Sequence, residues 1–324
     1  MALRAEKAAE LASALLGPGR WAVRPFGAGK FSETFDVAGG GGRYVLRVAP
    51  PDGLRQLFYE HRMMRQEPGI HARLLAETSV PVPPITAYDF SRGRIDRDFL
   101  VMPRLPGVPL SEAGLTPAGR ERALREWGGY IAQVHSVTDP ANRFGYLGEH
   151  ACMAPQPTWA EAFAVMYRKE LDDIVACGVY APAAADGAQA LLQENLSAFG
   201  HCHTSRVLHG DIWATNLLVA ADGIVTGLID FDRACWGDVE WDLAIAEYCG
   251  IARAPFWEGY GRWIDRSDGD AAVRRMFYLL YEHQKYIVIS MSARRGHDRP
   301  QADRYARDCL GVMDNFRRTG RPAF

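Results

Sequence analysis

The stretch RVLHGDIWATNLLV, residues 206–219, constrains this chain more than any other. Two short apolar runs enclose His209, Gly210, Asp211, Trp213 and Asn216. Runs of that length enter a core as strands, where an unpaired carboxylate is costly. The polar residues therefore belong on a loop between two strands, RVLHG and NLLVA, with a third strand at GIVTGLIDF. Such a loop reaches the domain surface while rigid elements hold it in place. The third strand ends in Asp230 and Asp232 of LIDFD, so three separate carboxylates emerge from one small set of strands.

Upstream, WAVRPF, SETFDV and RYVLRV read as strands, with GAGK and the glycines at 39–42 as the bends between them. LRQLFYEHRMMRQEPG has helical periodicity and is expected to end at its Pro-Gly break. VPVPPITAYDF and RDFLVMPRL give two more strands, and from PGVPL at 106–110 onward long periodic helices dominate. This order predicts an α+β fold: a small β-rich N-terminal lobe over 1–104, a hinge near 103–106, and a larger mainly α-helical lobe over 105–324. No apolar run approaches the roughly 18–20 residues needed to span a membrane, and the first residues, MALRAEKAAELASALLG, place charge where a signal peptide needs apolar side chains. A cytoplasmic chain with no membrane partner is the expectation.

Six scattered cysteines without a CxxC pair predict free thiols rather than a disulfide framework or zinc site. HCH at 201–203 reads as a loop, because adjacent residues on a short segment rarely point at one ion and no partner cluster follows. The formal net charge of -2 argues against broad nucleic-acid binding. Its distribution is uneven: residues 1–104 carry 15 basic and 11 acidic side chains, the remainder 22 and 28. That fits an anion bound by the front of the chain and a cation by the back.

One Asp to accept a hydroxyl proton, with an Asn and a second Asp to hold Mg²⁺, is the set that phosphoryl transfer requires. The kinase pattern places its catalytic Asp five residues before a metal-binding Asn, and a metal-binding Asp after the next strand. Asp211, Asn216 and Asp230 stand in that order. Hard oxygen donors such as Asn216 and Asp230 suit Mg²⁺ held together with nucleotide phosphates. On these residues the sequence resembles the aminoglycoside phosphotransferase/choline kinase family of small-molecule kinases. The family's H-G-D-x-x-x-x-N appears as His209, Gly210, Asp211 and Asn216, its I-D-[FW]-[ED] as Ile229, Asp230, Phe231 and Asp232, and its G-D-x-x-x-D-L-A as GDVEWDLA at 237–244. The resemblance implies a two-lobed protein-kinase-like fold, Asp211 as catalytic base, Asn216 and Asp230 as Mg²⁺ ligands, and His209 as a shaper of the loop. Asp232 either supports a metal ligand or touches substrate, and Trp213 either lines the acceptor pocket or packs beside the loop. Asp238 and Asp242 have two readings each: a chelating or substrate-binding carboxylate, or, as is expected of them, a cap on the helix that follows for Asp238 and a brace of the catalytic loop for Asp242.

For the nucleotide, FGAGKFSETF supplies a candidate phosphate cover with Gly27, Gly29 and Ser32. The kinase cation is a Lys on the third strand paired with a Glu on the next helix. Here that strand offers Arg47, with Glu60 after it, and Arg43 and Lys30 as fallbacks. Arg keeps the charge and can bind phosphate through two donors. FLVMPRLPG resembles the family's adenine-binding hinge at Val101 and Met102, where Pro103 has no N–H to offer.

The acceptor side is acidic and aromatic, with Glu240, Glu247, Tyr248, Trp257, Tyr281 and Glu282 as candidates. Acid plus aromatic suits a cationic or sugar-like molecule. The expectation is an ATP- or GTP- and Mg²⁺-dependent kinase, monomeric or homodimeric, that phosphorylates a hydroxyl of an aminoglycoside or similar amino sugar. Fructosamine, choline and homoserine kinases of the same fold are alternatives, as is an inactive nucleotide-binding module. Roles in antibiotic resistance and in metabolism use the same catalytic residues.

Overall fold

Alternating side chains in the first hundred residues assemble the expected sheet. The computed structural model describes residues 3–26, 31–51, 57–148, 152–264, 268–292 and 296–324. Two compact units result: Met1–Gly53 with Arg62–Ala123 and Thr215–Asp232, and Leu54–His61 with Leu124–Ala214 and Arg233–Phe324. A single cut at 104/105 therefore does not describe the chain.

In the first unit, strands β1 (Ala22–Pro25), β2 (Glu33–Gly39), β3 (Gly42–Val48), β4 (Ala87–Asp89) and β5 (Phe99–Pro103) form an antiparallel sheet ordered β1-β2-β3-β5-β4. Gly40 and Gly41 close the β2–β3 hairpin with φ of 58° and 80°, the left-handed pair that a two-residue turn of this hand requires. Helix α1 (Ala5–Leu16) packs Ala8, Leu11 and Ala12 against Phe35, Val37, Leu46, Val48 and Phe99 on one face of the sheet. The opposite face presents Val45, Leu100 and Met102 to Ala49 and Met64.

The expected helix ending at Pro68-Gly69 is reversed. Phe58–Glu60 and Met63–Gln66 are separate single turns, and helix α2 (Glu67–Glu77) starts where Pro68 stands. Proline lacks only an N–H that the first turn leaves unpaired, so it opens a helix at no cost. Two strands of the sequence reading also part company. β8 (Leu217–Val219) pairs with β6 (Val108–Pro109) and β9 (Val225–Leu228) in the first unit, whereas β7 (Arg206–Leu208) pairs with β10 (Cys235–Gly237) in the second. β6 and β10, of two and three residues, are too short to show a sequence period.

The division of the chain between Ala123 and Leu124 falls within helix α3 (Pro117–Val134). The second unit is built on α4 (Trp159–Ala176), α5 (Pro182–Glu194), α6 (Val239–Tyr248), α7 (Ala254–Tyr260), α8 (Gly269–Met291) and α9 (Arg299–Thr319). Its core is aromatic: the Phe163 ring stacks on Phe199 at 5.0 Å, and Trp159, Trp241, Tyr278 and Tyr281 are all fully buried nearby in the same network. No helix among the described residues is long and apolar enough to cross a membrane. The chain thus has the α+β organisation expected, a sheet-rich first unit and a helical second unit.

Candidate active site

Register places the cation of the first unit. Arg47 stands opposite Leu100 and Val45 opposite Met102, so these four side chains share one face of the sheet. The Arg47 side chain is 11% exposed, and its guanidinium donates to Glu67 at 2.5 Å, Asp230 at 2.9 Å and Asp232 at 2.8 Å. Burial alone would lower the Arg47 pKa, but the three carboxylates raise it above its ordinary value. Burial pushes the Glu67 carboxyl up to about 7 despite Arg47, and its second oxygen has no hydrogen-bond partner among the described residues. The pairing expected with Glu60 is thereby corrected to Glu67. Glu60 instead accepts the Leu57 N–H at 2.8 Å in its own turn. Glu67 is the first residue of α2, and the described residues just before it form two single turns, Phe58–Glu60 and Met63–Gln66, rather than a continuous helix.

Asp230 follows β9 with φ of 71°, a left-handed conformation that Asp tolerates better than most side chains. Such strain persists only where surrounding contacts over-determine it. Here the Arg47 bond fixes the carboxylate, and the Ile229 N–H donates to the Asn216 carbonyl at 3.0 Å, bringing both ends of the β8–β9 hairpin together. Gln66 donates its side-chain amide to the Asp232 carbonyl and ties α2's approach to the same hairpin. Asn216, Asp230 and Asp232 offer hard oxygens, and the carboxylates around Arg47 outnumber its charge. That donor set fits Mg²⁺.

Ser32 is buried with an Oγ that has no hydrogen-bond partner among the described residues. Gly27, Gly29 and Lys30 lie outside the described residues. Arg43 pairs with Asp36 at 2.6 Å, away from the Arg47 cluster. Val101 and Met102 are buried on β5, where the Thr86 N–H takes the Val101 carbonyl, and the Arg104 N–H is committed to the Arg43 carbonyl.

In the second unit the HGD turn hangs on α6. Asp242, fully buried, accepts the His209 N–H at 2.6 Å and the Gly210 N–H at 2.8 Å, and lies 3.1 Å from His135 Nε2. Gly210 has φ of 76°, and a Cβ there would stand 2.5 Å from the Arg233 carbonyl, so only glycine fits the turn. The His209 ring accepts the Asp211 N–H at 3.3 Å through Nδ1, which makes it a buried brace of the loop. The Asp211 side chain is 28% exposed, with Lys285 Nζ 3.9 Å away. Arg233 donates to the Gly210 carbonyl at 2.8 Å and binds both oxygens of Glu282 at 2.9 and 2.7 Å. Burial would raise Glu282, yet Arg233 and Lys285 hold its carboxyl down at about 2. Trp213 donates its backbone N–H to the Asp211 carbonyl and is half-buried.

Asp238 caps α6 by accepting the Glu240 N–H, as its position predicts. The acids expected to face an acceptor have internal partners instead. Glu240 pairs with Arg274 at 2.8 Å, Glu247 with Arg275 at 3.0 Å, and Glu282 with Arg233 at 2.7 Å. Tyr281 and Trp257 are core residues, whereas Tyr248 is 46% exposed. Sequence reasoning missed Glu67, Arg233 and Lys285. The Glu-Pro pair at 67–68, a helix-start signature, is the one local signal that could have found the first of these.

A family model described as "Phosphotransferase enzyme family" matches residues 22–277. Viomycin phosphotransferase of Streptomyces vinaceus is 30% identical over 198 residues, 58% of this chain and 64% of that protein, so the chain spans just under two-thirds of that relative's length. The protein named "Probable ketoamine kinase" of Vibrio cholerae is 27% identical over 243 residues, 72% of this chain and 74% of its own. Among solved structures, a thermostable mutant of aminoglycoside phosphotransferase APH(4)-Ia, in ternary complex with AMP-PNP and hygromycin B, aligns at a TM-score of 0.61 and 19% identity over 94% of this chain and 97% of that one.

Proposed function

Since the chain belongs to the phosphotransferase enzyme family, we propose that it transfers the terminal phosphoryl group of ATP to a hydroxyl of an amine-bearing small molecule. The observation that carries this reading is the Arg47 guanidinium shared by Glu67, Asp230 and Asp232, with Asp230 held in a strained backbone conformation. A site that merely bound a neutral ligand would have no use for strained, charge-rich geometry of this kind.

Asp211 accepts the proton of the attacking hydroxyl, from a loop whose backbone is fixed by Asp242. Asn216 and Asp230 would hold Mg²⁺, with Asp232 beside them, and the ion supplies charge neutralisation at the nucleotide phosphates. Arg47 orients Asp230 and Asp232 and adds a fixed positive charge to the phosphate side. Gly27, Gly29 and Ser32 cover the phosphates, and Val101 and Met102 flank the adenine; nucleotide binding is supported by the AMP-PNP complex of a protein with the same fold. Transfer of this kind depends on positioning and charge, and it requires no covalent enzyme intermediate.

Two acceptor classes are supported. The viomycin phosphotransferase likeness favours an antibiotic, and hence a resistance role. The ketoamine kinase likeness extends over more of the chain and favours a sugar joined to an amine. Both are hydroxylated amines or amides, which suits the cationic or sugar-like acceptor inferred from sequence. ADP or GDP release by the purified chain with Mg²⁺ tests the reading, against viomycin, hygromycin B, other aminoglycosides, glycated amines, choline and homoserine. Turnover with one class, abolished by Asp211→Asn, is the expected result. Nucleotide binding without turnover of any acceptor would overturn it.

A further inference from the structure

The HCH loop, which has no partner cluster in sequence, meets one in space. His201 Nε2 lies 3.2 Å from Asp238 Oδ2 and 3.6 Å from Glu240 Oε1. All three potential ligand atoms are within 4.8 Å of one another. Zinc takes imidazole nitrogen and carboxylate oxygen at about 2.0–2.2 Å in a tetrahedron, which sets neighbouring ligand atoms about 3.3–3.6 Å apart. The His201–Glu240 separation stands at that spacing, and the His201–Asp238 separation, now a hydrogen bond, is about 0.1 Å short of it, so an ion would replace that bond with little movement.

We propose that His201, Asp238 and Glu240 form a three-ligand site for a transition metal ion, with Zn²⁺ the ion the donor set favours. One imidazole with two carboxylates is a borderline set, and three ligands fall short of the six or more oxygens that Ca²⁺ and Mg²⁺ demand. The three residues line a cavity of about 260 Å³ together with Cys202, His203, Arg206 and Arg262.

The groups behind the ligands are already built. Tyr278 Oη donates to Asp238 Oδ2 at 2.6 Å, and Trp159 Nε1 donates to Tyr278 Oη at 2.7 Å; both rings are fully buried. Arg274 donates to both Glu240 oxygens, Nε to Oε2 at 2.8 Å and Nη2 to Oε1 at 3.2 Å, so the oxygen that faces His201 also carries an Arg274 contact that a bound ion would have to displace. Outer partners of this kind orient metal ligands and set their basicity. Arg274 also cancels one of the two carboxylate charges, so the site is weaker than a structural zinc centre and its occupancy reversible. Its place in the fold gives occupancy a consequence. The ion would clasp the 201–204 loop to the first turn of α6, the helix whose Asp242 holds the His209 and Gly210 amides.

The test is Zn²⁺ titration by calorimetry of the full chelator-treated chain, in excess Mg²⁺ and without nucleotide. One Zn²⁺ per chain is expected for the native chain and for Asp230→Asn, and none for His201→Ala or Glu240→Gln. Zn²⁺ should raise the Tm of the native chain and leave that of His201→Ala unchanged. Co²⁺ in its place should give the visible absorption of four-coordinate geometry only while His201 is present. Undiminished Zn²⁺ binding by His201→Ala, no binding by the native chain, or loss caused by Cys202→Ser or His203→Ala while His201→Ala still binds would each overturn the proposal. Because the readout is metal binding rather than turnover, its failure is separate from failure of the kinase reading.

Discussion

Replacing Asp242 by Asn tests whether α6 holds the catalytic loop. The native carboxylate accepts two adjacent backbone N–H groups, one on each oxygen, from a fully buried position. The amide keeps one acceptor and turns a donor toward the other N–H. At least one of the His209 and Gly210 amides is then left unpaired, at a cost of about 1–3 kcal/mol. The surviving bond loses its charge assistance, which roughly halves its strength. Removing a buried negative charge returns part of this, so a net loss of about 2–4 kcal/mol is expected. The protein should still fold, since domains have about 5–15 kcal/mol in hand.

The catalytic effect should be separable from the loss of stability. A shift of about 1 Å in Asp211 costs on the order of a hundredfold in rate. Urea denaturation gives the first quantity, and ADP release at saturating acceptor gives kcat for the second. In an Asp211→Asn background, Asp242→Asn should reduce stability by the same amount and leave the residual rate unchanged, because the loop no longer carries a base to misplace. A single variant that melts with the native chain and keeps its kcat would refute the bracing argument. Equal rate losses in both backgrounds would show that Asp242 acts by some route other than Asp211.

Gly210→Ala should lose about 1–2 kcal/mol from its left-handed backbone alone, with more from the contact with the Arg233 carbonyl, read as a lower Tm and loss of turnover. Arg47→Lys keeps the charge and loses the fork that spans Glu67, Asp230 and Asp232, so kcat/KM for ATP should fall about ten- to a hundredfold, and a change below twofold would contradict the shared-guanidinium reading. Burial pushes the Asp173 carboxyl up to about 6, although it accepts the Phe58 N–H at 2.7 Å. The folded state therefore holds more protons than the unfolded one between the ordinary carboxylate value and about 6, and stability falls as pH rises through that window. Asp173→Asn should flatten this slope in pH-dependent urea melts and be more stable than the native chain at pH 8, by about 1–2 kcal/mol after allowance for partial exposure.

What was legible in the sequence was what local pattern encodes. Short runs rich in apolar and β-branched residues, bounded by glycine and proline, mark β1, β2, β3 and β5, and fixed spacing marks Asp211, Asn216 and Asp230. Asp242 was readable as a brace because GDVEWDLA sets it one turn into a helix. Glu67 was not, because its relation to Arg47 depends on how residues 57–66 break into turns, and a helical period over the same letters points to Glu60 instead. The pairing of β7 with β10 was equally hidden: a three-residue strand carries no period, and the partner lies beyond an entire hairpin of the first unit.

Charge shows the same divide between composition and position. The acidic excess after residue 104 suggested a surface that draws cations to the acceptor side. Position assigns much of that excess elsewhere, because α8 carries Arg274 and Arg275 against Glu240 and Glu247 of α6, and Arg233 and Lys285 neutralise Glu282. Each of these acids is mostly buried, and a buried carboxylate persists only when paired, so none is left over to bind a cationic ligand by itself. The carboxylate in the second unit that combines exposure with a loop built to present it is Asp211, and it has Lys285 at 3.9 Å. A cationic acceptor would therefore gain little from net charge at this site. Its selection must come from shape and hydrogen bonding around Asp211, so binding of a hydroxylated amine should weaken only modestly with added salt, in contrast to the steep dependence expected of a ligand drawn by an acidic surface.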